Sequence, residues 1–353
     1  MATLYVASTE TFVGKSAMCA VLLEYFRSKG LKIGYMKPVS VSVTQTEDGA
    51  VDLDAKLLRD MFKLQEPLDQ LAPVLATTGL IERVLSGEST NYDQHIKHTY
   101  EAIAQNKDIM ILEGANTWAE GALLNLNSDQ VSDLLDAPVL LINRFRSIAG
   151  VDIILAVQRY LGKRLIGVVL NQVYSSHIER VEKVVVPFLE KQGIPVIGVI
   201  PHNKQIESPS VQDVIEHINA KVISDGDRER LVEKISVGAM SADAALSFFR
   251  RNPNKVVITG GDRSDIQLAA LQTSTACIIL TGNMYPAATV LNRAAEYKVP
   301  LLLTPEDTLT TVQQLEALIG HIRFGSARSN GFVQLAIQNL DWSRLEAILG
   351  VTG

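Results

Sequence analysis

The chain has little of what marks several large protein classes. Its 353 residues hold only two cysteines, Cys19 and Cys277, far apart and without ligand spacing. That excludes a disulfide framework and a zinc motif, and both thiols read as reduced, buried small hydrophobes. No apolar run approaches the roughly 18 residues of a membrane span. The N-terminus enters a strand pattern at once, with no basic segment ahead of an apolar one, so no membrane partner is expected and the cytoplasm is the default location. Basic excess is missing too: the formal charge is −6 with no basic stripe, which removes the electrostatic footprint of a nucleic-acid binder. No Ser/His/Asp or Cys/His nucleophile set is legible. His95 and His98, three apart on the polar stretch 92–105, lack a third ligand nearby and read as a solvated helix face. Internal repeats and low-complexity tracts are absent.

What is present is enough apolar sequence for a large core. With 47% hydrophobic and 20% charged residues, the length predicts two domains. Apolar, β-rich runs recur at 4–7, 32–36, 109–112, 139–142, 166–170 and 196–200, with helical patterns between them. Such alternation predicts an α/β fold: a parallel sheet with helices on both faces. Ser8, Lys37, Glu113, Asn171 and Pro201 each stand at or just past the end of a run. In open parallel sheets ligands bind outside the carboxyl ends of the strands, so these positions are expected to share one rim. The charged segment SDGDRER, within 220–230, marks the boundary, dividing the chain into 1–222 and 223–353. Beyond it a smaller α/β pattern is expected, with helices over 241–250, 265–272 and 287–297 and strands over 255–259, 277–280 and 301–303. Thr304 then reads as an N-cap with Pro305 at the first helical position.

The most informative string is STETFVGKS at 8–16, set between the run 4–7 and the amphipathic stretch 17–29. Strand, loop and helix in that order form a phosphate cradle when backbone N–H groups at the helix N-terminus point inward beside a lysine and a hydroxyl. Gly14, Lys15 and Ser16 supply the last part of it. The place where such loops ordinarily begin with glycine holds Glu10 or, with the spacing widened, Ser8. Serine there leaves binding plausible and hydrolysis open. Magnesium carried by nucleotide phosphates takes a few oxygen ligands, and Ser16, Asp54 and Glu113 are the candidates. Asp54, in DLDAKLLRD, reads equally as an acid favoured by a helix N-terminus. Lys37, delivered to the rim by its strand, calls for a phosphate or carboxylate, the alternative being a solvated lysine at a strand end. Asn171 and Pro201 would flank an adenine. In the second domain, VVITGGDRSD sets Gly260, Gly261, Asp262, Arg263 and Ser264 between strand and helix. Either the double glycine admits a ligand that Arg263 grips, or the segment is a tight turn with Ser264 capping and Asp262 paired to Arg263. Thr281, Gly282 and Asn283 end the next strand as the opposite lip of such a pocket or of a subunit interface.

The loop resembles the long phosphate loop of dethiobiotin synthetases, with Thr9, Thr11, Val13, Gly14, Lys15 and Ser16 matching it. The whole chain, through YMKPVS, DLDA, ILEGAN, VVLNQV, GVIPHN, VGAMSADAAL, ITGGDRSDIQLAAL and LTGNMYP, resembles the N-terminal region of long bacterial phosphate acetyltransferases. There a dethiobiotin-synthetase-like, P-loop NTPase-like domain precedes a smaller α/β DRTGG domain. The resemblance implies ATP or another nucleoside triphosphate with Mg2+, held by Thr11, Phe12, Val13, Gly14, Lys15 and Ser16. It implies metal ligands at Ser16, Asp54 and Glu113, Lys37 beside the γ-phosphate with Lys15 as the second catalytic lysine, and adenine near Asn171 and Pro201. Homo-oligomerisation is expected on the same ground, and a metabolic enzyme is the expected macromolecular partner. The diaminated substrate of dethiobiotin synthetases is not expected: their E-G-A-G-G reads Glu113-Gly114-Ala115-Asn116-Thr117 here. Nor is acetyltransferase chemistry, because the chain reaches Gly353 before a transferase segment. Three functions stay open: a nucleotide-binding regulatory or sensor protein of central metabolism, an ATP-dependent carboxylase or ligase with Lys37 at the transferring phosphoryl group, and a scaffold whose rim is vestigial.

Overall fold

The computed structural model of the chain describes residues 1–46, 49–88, 91–319 and 327–351. The chain divides into two compact units: residues 1–202 with the C-terminal segment 327–351, and residues 203–319. In the first unit, six strands form one sheet: β1 (Ala2–Ser8), β2 (Ile33–Met36), β3 (Ile109–Glu113), β4 (Val139–Arg144), β5 (Leu165–Val173) and β6 (Val196–Pro201). Their order is β6-β5-β4-β1-β3-β2, and every pairing is parallel. All five residues of β3 are buried, as expected of a strand covered on both faces. The six strand positions expected from the apolar runs are all present, most of them one to three residues longer than the run itself.

Helix α1 (Lys15–Ser28) follows β1 directly. From Ala17 to Leu23 every side chain is at most 1% exposed, so this helix is apolar all round rather than striped. The sheet accounts for one side. The other is covered by α3 (Ala327–Asn339), and α4 (Trp342–Leu349) packs on β1 and β6. Helix α2 (Leu53–Phe62) is N-capped by Asp52, whose carboxylate accepts from the amide of Ala55 at 2.8 Å. It is reached through an antiparallel hairpin, Val43–Thr46 with Gly49–Asp52, which no apolar run announced.

The second unit holds a five-stranded sheet. Strands β8 (Lys234–Val237), β9 (Lys255–Gly260), β10 (Thr275–Thr281) and β11 (Leu301–Leu303) run parallel, with β7 (Lys221–Ser224) antiparallel at the edge. Apolar clusters fill both faces, one around Phe249, Ile266 and Val290, the other around Val211, Ile258 and Leu315. The expected helices and strands of this region are present within about two residues. Three expectations are corrected. The boundary lies at 202/203 and not at 222/223, because Val211, Val214 and Ile218 pack with Leu315 and Leu318 in the second unit's core. The assignment of 223–353 to one domain fails as well, since α3 and α4 return to the first unit. Thr304 is not an N-cap: the helix Thr308–Ile319 starts later, with the Asp307 carboxylate accepting from Thr310 N at 2.8 Å.

Candidate functional site

Ser8 closes β1 with its hydroxyl donating to the carbonyl of Asn116 at 2.7 Å. The chain then turns over the ends of β4 and β5. Thr9 N donates to Ile142 O at 3.2 Å, and the Arg144 guanidinium donates to the carbonyl of Phe12. Positive φ falls at Phe12 (57°) and Gly14 (84°), so the loop turns without a glycine at Ser8. Asn171 braces it from below, donating Nδ2–H to Val13 O at 2.7 Å while its Oδ1 accepts from Gln172 N at 2.9 Å. A Cβ on Gly14 would stand 2.9 Å from that same Nδ2, so space and backbone both require glycine. Gly14 is the N-cap of α1 and offers no side chain to the first helical amides. Those donors and the positive end of the helix dipole meet at the loop, which suits an anion.

Beside this turn, five charged groups and a hydroxyl converge from four elements. Ser16 Oγ lies 2.8 Å from Glu113 Oε1 and 3.1 Å from Asp54 Oδ2, its one hydrogen serving either. Lys15 Nζ is 3.7 Å from Glu113 Oε1. Lys37 Nζ, 2% exposed, contacts Asp52 Oδ2 at 2.7 Å, Asp54 Oδ2 at 3.1 Å and Glu113 Oε1 at 3.6 Å. Burial by itself would lower the Lys37 pKa, but the carboxylates of Glu113, Asp54 and Asp52 outweigh it and hold the ammonium above its ordinary value. Tyr35 donates to Glu113 Oε2 at 2.8 Å, and its phenol is pushed up by burial and then by the Glu113 charge. Three carboxylates against two ammonium groups leave one net negative charge. Asp54, with a side chain 32% exposed, faces the open side.

The structure thus brings Lys15, Ser16, Lys37, Asp54 and Glu113 together. Asn171 lies beneath the loop with its amide engaged. Pro201 ends β6, where His202 N donates to Val173 O at 2.8 Å. Asp52, Ser40 and Tyr35 belong to the same network and were missed. Ser40 donates to Asp52 Oδ2 at 2.5 Å. The signal for Asp52 lies in DLDA, whose first acid is an N-cap before a helix. Missed as well was Tyr174, 46% exposed, whose ring stands 4.7 Å from that of His202 at the β5–β6 end of the rim. Magnesium fits the donors: Ser16, Asp54 and Glu113 supply oxygen only, from different elements. Among the described residues no three His, Cys, Asp or Glu side chains form a metal cluster alone, so an ion here would draw further ligands from water and phosphate.

In the second unit, the turn after β9 is closely packed. A Cβ on Gly261 would fall 1.9 Å from Met284 O. Arg263 forks onto Asp265 at 3.1 Å twice and donates to Met240 O at 2.9 Å. The expected Asp262–Arg263 pair is therefore replaced by Arg263–Asp265. Ser264 is the first helical residue rather than the cap. Gly282 N and Asn283 N donate to Glu306 O and Thr304 O, both at 2.9 Å, which folds the opposite lip back onto its own chain.

A family model described as AAA domain matches residues 2–210. The chain belongs to this AAA domain family. A second model, the DRTGG domain, matches residues 213–318, so a P-loop domain and a DRTGG domain follow one another here. Among curated relatives, the phosphate acetyltransferase of Synechocystis sp. is 26% identical over 340 residues, covering 90% of this chain and 47% of that protein. The ATP-dependent dethiobiotin synthetase BioD of Pseudomonas aeruginosa is 27% identical over 232 residues, covering 64% of this chain and all of that protein. The chain spans about half the length of the phosphate acetyltransferases it matches, 47% of one and 51% of another. Among solved structures, the cell-division protein MinD of Aquifex aeolicus aligns over 58% of this chain and 84% of its own, with 15% identity and a TM-score of 0.36. The CBS and DRTGG domains of Clostridium perfringens pyrophosphatase, complexed with diadenosine tetraphosphate, align over 38% of this chain and 67% of theirs, with 17% identity and a TM-score of 0.29. No helix among the described residues is long and apolar enough to cross a membrane.

Proposed function

We propose that the protein binds ATP with Mg2+ at the loop Thr11–Ser16 and acts as a regulatory or sensor protein of central metabolism, related to the N-terminal part of phosphate acetyltransferases. One observation carries the nucleotide reading: Ser16, the second residue of a helix with no side-chain cap, places its hydroxyl on both Glu113 and Asp54. The amides of the first turn and Lys15 would hold the phosphates, and Ser16, Asp54 and Glu113 would hold Mg2+, which neutralises phosphate charge when bound. Adenine would lie toward the β5–β6 end of the rim, near Asn171 and Pro201. The regulatory reading is supported by Lys37, which is buried and shared by three carboxylates rather than presented to an open substrate site. Nothing in it requires turnover. Titration of the full chain with ATP and MgCl2 tests it: at about 100 times Kd the ligand adds about 2.7 kcal/mol to unfolding stability, and Ser16→Ala reduces that gain. Unchanged unfolding with every nucleoside triphosphate would remove the proposal.

A second reading is favoured by one contact. Lys37 and Ser16 reach the same atom, Asp54 Oδ2, each at 3.1 Å, which supports a role for Lys37 beside a phosphate carried on the metal. On this reading the protein is an ATP-dependent carboxylase or ligase acting on a small acid or amine, with Lys37 stabilising the transferring phosphoryl group. ADP release that depends on an added acid or amine and vanishes in Lys37→Ala decides for it. ATP binding without turnover across such a panel decides against it.

A further inference from the structure

We propose that the C-terminal segment 339–346 is a clasp that positions α1, making Trp342, Arg344 and Glu346 positioning residues for the phosphate loop although none lies near it. The clasp grips the far end of the helix. The Tyr25 ring stacks on Trp342 with centroids 3.6 Å apart and planes 10° from parallel, while Trp342 meets Phe26 edge-on at 6.4 Å. Tyr25 OH donates to Glu346 Oε1 at 2.9 Å, and Lys29 Nζ lies 3.4 Å from the same oxygen. Trp342 is itself fixed, its Nε1–H donating to Ile337 O at 2.8 Å.

The same segment is tied to the sheet. Asp341 N donates to Ile197 O at 2.7 Å, and Leu340 forms an antiparallel bridge with Gly198 on the edge strand β6. A Cβ at Gly198 would stand 2.5 Å from Asn339 O, so the approach needs glycine. Arg344 forks onto Glu190 at 2.6 and 2.8 Å, and Glu190 also accepts from Val196 N at 2.9 Å. Covering an edge strand satisfies its unpaired backbone groups and blocks pairing with another chain. Here the cover also holds a helix.

The consequence follows from the geometry of α1. A 14-residue helix is a rod about 20 Å long, with Gly14 to Ser16 at one end and Tyr25 to Lys29 at the other. Its middle is buried on all sides, so its position is set by what packs on it, and one face of that packing is α3, which leads directly into the clasp. The covalent path matters as well. The chain leaves β6 at the rim, builds the whole second unit, and only then returns to close on α1. The clasp is therefore the part of the C-terminal segment that touches the helix carrying the loop.

The affinity part of this inference rests on the nucleotide reading; the positional part does not. The test uses the full chain with Trp342→Ala, Trp342→Phe, Gly198→Val and Glu346→Gln, none of which touches the site. Hydrogen exchange is measured without ligand over peptides covering residues 15–28 and 333–349, and ATP·Mg affinity is measured by calorimetry. Trp342→Ala and Gly198→Val should speed exchange in both peptides and weaken ATP·Mg about tenfold, within the usual span of site-to-site coupling. Trp342→Phe should restore the affinity, and Glu346→Gln, which keeps the packing, should give a smaller loss in the same direction. Faster exchange confined to 333–349, with 15–28 unchanged, overturns the clasp. A wild-type chain that binds no nucleotide overturns the nucleotide reading alone, and the exchange result still decides the clasp.

Discussion

The Ser8 hydroxyl donates to the main-chain carbonyl of Asn116 at 2.7 Å, so two places where this chain departs from the dethiobiotin synthetase pattern touch each other. Asn116 continues the link, its Oδ1 accepting from Ser42 at 3.1 Å, and Trp118 N returns to Ser8 O at 2.8 Å. A glycine at 8 could make only the last of these contacts. Ser8→Gly removes a buried hydrogen bond and adds backbone freedom to the unfolded chain. The expected cost is about 1–2 kcal/mol in urea unfolding, with ATP·Mg binding retained. A variant as stable as the wild type would show that the bond is incidental.

Gly14→Ala meets a different obstacle. At φ 84° the added methyl is strained, and Asn171 Nδ2 stands 2.9 Å from where it must go. Releasing the amide from Val13 O is the cheapest response, which loosens the loop itself. The expected result is a loss of at least about 1 kcal/mol and no detectable nucleotide-induced shift in Tm.

Lys37→Met leaves Asp52 and Glu113 buried without their common cation. Breaking a buried pair from one side costs about 3–5 kcal/mol, read from denaturant midpoints at pH 7. Asp52→Asn placed in the same chain should recover part of that loss, because the two sites share one contact and are not additive. Additive losses would contradict the cage.

Lys255 offers a pH signature in the second unit. Its ammonium is buried, donating to Thr273 Oγ1 at 2.8 Å and Ser274 O at 3.1 Å, over the Phe249 ring. Burial, and then the charge of Arg230, push its pKa down to about 8 from 10.5. Between those values the unfolded chain carries a proton that the folded chain has lost, so this group makes stability rise with pH from about 8 to about 10.5, by at most about 3 kcal/mol. Below pH 8 both states are protonated and the contribution is flat. Lys255→Met should abolish the rise in denaturation free energy across that window and leave the curve below pH 8 parallel to wild type.

Asp307→Ala removes the carboxylate that caps Thr308–Ile319 at Thr310 N and should cost about 1 kcal/mol. Thr304→Val, at the position first expected to cap that helix, should cost less. Thermal unfolding of the two variants side by side orders them.

The comparison of Thr304 with Asp307 shows why element ends were the least legible part of the sequence. Both residues are N-cap types, but Thr304 is tied to the neighbouring strand, its N donating to Leu280 O and its O accepting from Asn283 N, while Asp307 meets the helix. Strand cores were legible because a strand buried on both faces must be a continuous apolar run, as Ile109–Leu112 and Val139–Ile142 are. Glu113 was legible for the opposite reason, a carboxylate where such a run ends. Asp52 was passed over although it shares its short motif with Asp54. Nothing local says that its carboxylate turns inward to Lys37 and Ser40 while Asp54 stays partly exposed.

By itself, the order of residues determined the alternation of strands and helices, the rim that collects Lys37, Glu113 and Asn171, and the loop that turns at Gly14, because these depend on periodicity and backbone freedom within short windows. Only the tertiary structure decided which acids share Lys37, that Arg263 takes Asp265 rather than Asp262, and that α3 and α4 close over α1. Those outcomes join residues as far apart as Tyr25 and Trp342. They follow from which surfaces were left to be covered once the sheet had formed, a matter no local pattern records.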